Sequence, residues 1–114
     1  EFSFGIWEGM TFTEVYRKYP EEFNHWYNDT SRFNVPGGES LSQVAARAYE
    51  ALTEIIDENS GNVVIVTHGG VIKALLHKID EENDVWQEGV EPGSITILKV
   101  TDNQIRIMEK GLKV

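Results

Sequence analysis

His68 stands where a short run of β-branched residues, Val63-Val64-Ile65-Val66, gives way to Gly69 and Gly70. In open α/β sheets, ligands bind beyond the carboxyl ends of strands, so this position is a natural rim for a site. Glycines there leave the backbone amides open to close approach, and the free N–H groups and dipole of a starting helix favour an anion. An imidazole beside them can donate to a phosphoryl oxygen. The alternative is that His68 only satisfies a local carbonyl at the strand end, and the glycine pair weighs against it. His25, among Trp26 and Tyr27, reads as a surface or loop-packing residue, and His77 as the wet face of an apolar helix. No two histidines have the i, i+4 spacing of a metalloprotease helix, and there is no cysteine, so no catalytic metal and no cofactor are expected.

The elements that must hold His68 follow from the rest of the chain. Thr11 and Glu14 have capping-box spacing and start a short helix that Pro20 ends. Pro20, Glu21 and Glu22 can open a second helix through about Tyr27. Residues 28–39 read as loop, with Pro36, Gly37 and Gly38 breaking regular structure. Ser40 and Gln43 form another capping box at the head of a long helix. Its apolar stripe is Leu41, Val44, Ala45, Ala48, Leu52, Ile55 and Ile56, leaving Gln43, Arg47, Glu50 and Glu54 off it.

The Val63–Val66 run lacks alternation and so predicts a strand covered on both faces, as in a parallel sheet. A helix is expected from about Val71 to Ile79. Ser94 to Val100 and Gln104 to Met108, joined at Asp102–Asn103, predict a hairpin toward a sheet edge. The acidic runs Asp80 to Asp84 and Glu88 to Glu91 read as solvated loop. One buried parallel strand and one hairpin make an incomplete sheet, so a further βα unit upstream of Glu1 is expected.

Composition narrows the function classes. The chain has 114 residues, 40% of them hydrophobic, which fits one folded domain spanning residues 1–114. A formal charge of −9 without a Lys/Arg cluster argues against nucleic acid or an anionic membrane as partner. No apolar run approaches the roughly 20 residues needed to span a bilayer, and a cytoplasmic location is the expectation. A small ligand is the expected partner, and an anionic one needs local donors against the overall field.

Three segments together resemble the histidine phosphatase (phosphoglycerate mutase-like) superfamily. Glu1-Phe2-Ser3-Phe4-Gly5-Ile6-Trp7-Glu8-Gly9 is similar to that family's L-x-E segment leading to F-G-x-W-E-G. Pro36-Gly37-Gly38-Glu39-Ser40-Leu41 is similar to its P-x-G-E-S loop, and Val66-Thr67-His68-Gly69-Gly70 to its V-T-H-G-G strand end. The Trp7 and Trp26 segments and the loop string most resemble the alpha-ribazole phosphatase type of cobalamin biosynthesis.

The resemblance implies a three-layer α/β/α fold with a mostly parallel central sheet, of which this chain is the C-terminal two-thirds, without the N-terminal strand and helix. It implies hydrolysis of a small phosphomonoester through a phosphohistidine formed on a histidine in an Arg-His-Gly segment. His68 then corresponds to the second active-site histidine, Gly69 to an amide donor, and Glu1 to the proton donor. A carboxyl suits that task when burial and an anionic substrate raise its pKa. Glu39 and Ser40 are expected to be structural, Glu39 as a hydrogen-bond acceptor, and Glu8 to stabilise its loop.

No Arg-His-Gly string occurs in the chain, so these 114 residues alone are expected to be inactive. Trp7, Trp26, Tyr27 and Phe33 offer an aromatic wall for the leaving group. Phosphoglycerate mutase activity is the neighbouring alternative. A non-catalytic phosphate-binding module, or a fragment that forms a homo-oligomer through an exposed sheet edge, is the alternative from another class.

Overall fold

The computed structural model describes residues 1–81, 89–102 and 104–114. It divides into two compact units, Phe2–Val44 and Ala45–Val114, the second including Glu1. Helix α3 (Leu41–Glu58) starts in the first unit and continues in the second.

In the first unit, a 3-10 turn (Gly5–Trp7) precedes α1 (Phe12–Lys18) and α2 (Pro20–Asn28). The capping box at Thr11 forms: its hydroxyl accepts from the Glu14 amide at 3.1 Å, and the Glu14 carboxylate accepts from the Thr11 amide. Tyr19 closes α1, and Pro20 opens α2 where its missing N–H costs nothing. Trp7, Val15, Trp26 and Val35 are buried together, with Phe4, Met10, Tyr19, Phe23 and Phe33 packed around them. The Trp7 and Trp26 rings meet edge to face at 5.7 Å. The two tryptophans are therefore core and not the ligand wall expected of them: their rings pack in this unit's own interior. Trp7 Nε1 is buried with no hydrogen-bond partner among the described residues. That costs about 1–3 kcal/mol, which the packing of so large a ring exceeds.

The Pro36–Ser40 loop lies backbone against backbone on Ser3–Gly5. The Ile6 amide donates to the Pro36 carbonyl at 3.0 Å, and the Glu39 amide to the Ser3 carbonyl at 2.9 Å. Gly5 has φ +51°, and a Cβ there would lie 2.2 Å from the Pro36 carbonyl oxygen. Only glycine allows this approach. Ser40 is buried and caps α3 as expected: its hydroxyl accepts from the Gln43 amide at 3.2 Å, while the Gln43 side chain accepts from the Ser40 amide at 3.0 Å.

In the second unit, the stripe on α3 behaves as its spacing demands. Ala45 and Leu52 are buried, Ala48, Ile55 and Ile56 half-buried, and Arg47, Glu50 and Glu54 exposed. Helix α4 (Gly69–Ile79) begins two residues earlier than its apolar run suggests, because both glycines join the first turn. It buries Val71, Ala74 and Leu76 and packs against β2. Strands β1 (Ile95–Thr101) and β2 (Gln104–Leu112) pair antiparallel, with Thr101 opposite Gln104. Asp102 sits at φ +49°, the left-handed conformation that a two-residue hairpin connection needs. Asn103 and residues 82–88, which carry part of the expected acidic loop including Glu88, lie outside the described residues. Asp80, Glu81 and Glu91 are exposed.

The expected parallel sheet is not formed among the described residues. The sheet found is the two-stranded antiparallel hairpin, and Val63–Val66 has no ladder partner. Exposure along that run alternates, Val63 46%, Val64 90%, Ile65 46% and Val66 93%, the period-two signature of a pleated chain. A strand needs neighbours to be one, and the hairpin residues are already paired with each other. The fold is thus mixed α/β, without the mostly parallel centre that the apolar run predicts.

Two substitutions test the loop. Gly5→Ala should destabilise the protein by about 1–3 kcal/mol from backbone strain alone, and Ser40→Ala by about 1 kcal/mol through loss of a cap. Urea denaturation followed by tryptophan fluorescence reads both. Midpoints equal to the parent's would refute the clamp and the cap.

Candidate functional site

His68 is the N-cap residue of α4, with extended φ −113° and ψ 152°. Its carbonyl accepts the first helical bond, from the Ile72 amide at 3.1 Å. Its side chain makes no capping bond, so the imidazole is not consumed by the local backbone. The ring is 59% exposed and points its Nε2 at Glu1, whose Oε2 is 3.4 Å away. Residues 67 positions apart in sequence are brought together within the second unit.

Gly69 follows directly as the first residue of α4, where its N–H has no intrahelical acceptor. A Cβ at Gly69 would meet the Val90 carbonyl oxygen at 3.6 Å, an ordinary contact, so the position is not forced to be glycine by crowding. An imidazole, a free amide at a helix start and a carboxyl thus share one rim. Such a set can bind a phosphoryl oxygen through the first two and pass a proton through the third.

The Glu1 side chain is 69% exposed. The burial asked of a proton-donating carboxyl is therefore not provided by the described residues around it. At this exposure the Glu1–His68 contact contributes about 1 kcal/mol or less to stability, so it is not there to hold the fold.

The remaining candidates are placed as follows. Glu39 accepts from the Ser3 amide through Oε1 at 3.1 Å, a hydrogen-bonding role in the loop, as expected of it. Glu8 accepts from the Phe4 amide at 2.7 Å and so closes its own loop. His25 lies with its ring 4.6 Å from that of Phe33 on exposed α2, a packing role, and His77 is half-buried on α4.

One residue that sequence reasoning left off its list is Arg47, whose guanidinium donates to the Glu1 main-chain carbonyl. Its only sequence signal was negative: a cation off the apolar stripe of α3, indistinguishable from any other solvated residue.

With this geometry established, likeness to known proteins becomes informative. A family model described as the histidine phosphatase superfamily (branch 1) matches residues 1–112. Phosphoserine phosphatase 1 of Hydrogenobacter thermophilus is 28% identical over 115 residues, covering 98% of this chain and 54% of that protein. The solved structure titled Bacillus stearothermophilus YhfR superposes with a TM-score of 0.89 at 30% identity, covering all of this chain and 58% of that one. A putative alpha-ribazole-5'-P phosphatase from Escherichia coli superposes at 0.78 with 18% identity over 59% of its length, a likeness of fold alone. The chain therefore spans little more than half the length of these proteins. Because the match runs from the Glu1 segment through the His68 rim to the last strand, the chain belongs to the histidine phosphatase superfamily, branch 1.

Proposed function

We propose that this chain supplies the proton-transfer and charge-stabilising half of an active site that hydrolyses a small phosphomonoester. The observation that carries the reading is the approach of Glu1 Oε2 to His68 Nε2 at the head of α4. In the complete protein, a histidine in an Arg-His-Gly segment, which these 114 residues do not contain, attacks phosphorus and displaces the alkoxide. The P–O bond to the leaving group breaks as the N–P bond forms, and Glu1 gives its proton to the departing oxygen. His68 and the Gly69 amide donate to the equatorial phosphoryl oxygens, where charge accumulates in the transition state. Water then attacks the phosphohistidine, Glu1 takes up its proton, and inorganic phosphate leaves. The family membership and the phosphatases among its relatives support the reaction class.

The ester is the less constrained part of the proposal. Alpha-ribazole phosphate is one candidate from the motif resemblance, and phosphoserine is another from the relative that matches nearly the whole chain. Comparing both with a sugar phosphate on the full-length protein decides among them.

A second reading rests on a different observation. Val63–Val66 has no ladder partner among the described residues and exposes apolar side chains, which can template strand pairing with another chain. On this reading the 114 residues self-associate and bind phosphate without turnover.

For the enzyme reading, the full-length protein is expected to turn over p-nitrophenyl phosphate, and His68→Ala to lower kcat at least about 100-fold, as loss of a preorganised charge-stabilising donor does. Parental rates for that variant would sink the assignment. The 114-residue chain alone is expected to show no turnover in the same assay. Size-exclusion chromatography separates the second reading from the first: a concentration-dependent dimer supports strand exchange, and a monomer with a cooperative melt removes it.

A further inference from the structure

Glu1 is exposed, and an exposed carboxyl is not held in place by its attraction to one imidazole. Water screens such a pair so strongly that it gains no more than the cost of ordering a long side chain. The position of Glu1 must be set through its main chain. Within the unit that contains both Glu1 and His68, the Arg47 guanidinium does this among the described residues, donating through Nη2 to the Glu1 carbonyl. Arg47 lies on the exposed side of α3, off the apolar stripe, so packing of the helix does not require a cation there. The same stretch of chain is held again two residues later, where Ser3 and Glu39 exchange two hydrogen bonds, at 3.1 and 2.9 Å. A bond to a backbone carbonyl constrains the residue without touching its carboxyl. The carboxyl is therefore left free to exchange a proton.

We propose that Arg47 is a positioning residue for proton donation: it holds the Glu1 main chain so that the carboxyl stays within reach of His68 and of the leaving oxygen. This rests on the roles of Glu1 and His68 proposed above. The consequence depends on the leaving group. A nitrophenolate departs with little need of a proton, whereas a phenolate without the nitro group needs one in the transition state. Displacing the donor therefore slows phenyl phosphate far more than p-nitrophenyl phosphate, two esters of similar shape. A merely structural role would lower both equally.

The experiment measures kcat and KM for both esters with the full-length protein and with Arg47→Ala, Arg47→Lys and His68→Ala. Arg47→Ala is expected to lower kcat on phenyl phosphate roughly ten-fold, a fraction of the roughly 10²–10⁴-fold a positioned acid contributes. On p-nitrophenyl phosphate the change should stay within about two-fold, by the same leaving-group argument, with KM unmoved for either ester. Arg47→Lys restores one donor and recovers part of the loss. An unchanged phenyl phosphate rate in Arg47→Ala, or equal losses on both esters, overturns the role of Arg47 while leaving the site intact. Parental turnover by His68→Ala, or a parent inert toward both esters, overturns the site itself, whatever Arg47 does.

Discussion

Two exposed titratable groups, Glu1 and His68, lie within a few ångströms of each other, and their own attraction is too weak to hold them there. That constraint organises the chain. Glu1 and His68 meet at 3.4 Å with more than half of each side chain open to solvent. Water screens the pair, so the geometry is set by main chain: the start of α4 fixes His68, and the Arg47 hydrogen bond to the Glu1 carbonyl fixes the other side. On the function proposed above, this exposure leaves the rim open to an anionic ester.

The first unit is ordered by its own core. Aromatic rings around Trp7 and Trp26 give a small unit enough buried apolar area to order its loops. The Pro36–Ser40 loop then uses Gly38, where a side chain would collide with the Ser3 carbonyl, and a buried serine to hand over into α3. The same five residues are at once a turn, a clamp on Ser3–Gly5 and a helix cap. This explains why so short a string carries so specific a combination of proline, glycines, acid and hydroxyl. In contrast, Val63–Val66 leads straight to His68 yet exposes both faces. An apolar run with such exposure demands a partner strand, from whatever source, before the rim beside it is stiff.

Much of this was legible in sequence because it is local. Both capping boxes, the proline between α1 and α2, the stripe on α3 and the hairpin depend on residues a few positions apart, whose hydrogen-bonding and steric preferences act without help from the rest of the chain. The position of His68 at a helix start was also legible, since two glycines followed by an apolar helical run place it there. Three motifs in the right order were enough to indicate the family that the whole-chain match then showed.

What the tertiary structure alone decided is everything that depends on distant residues. The meeting of Glu1 with His68, the reach of Arg47 to the Glu1 carbonyl and the exchange between Ser3 and Glu39 link positions 36 to 67 residues apart, and no local pattern encodes such a distance. The tryptophans were misread as a ligand wall for the same reason: a ring's burial depends on what folds against it. Val63–Val66 marks the boundary between the two kinds of information. Its residue types suggest a strand covered on both faces, but the run is exposed and unladdered among the described residues, because a sheet is a relation between segments and needs a second one to exist.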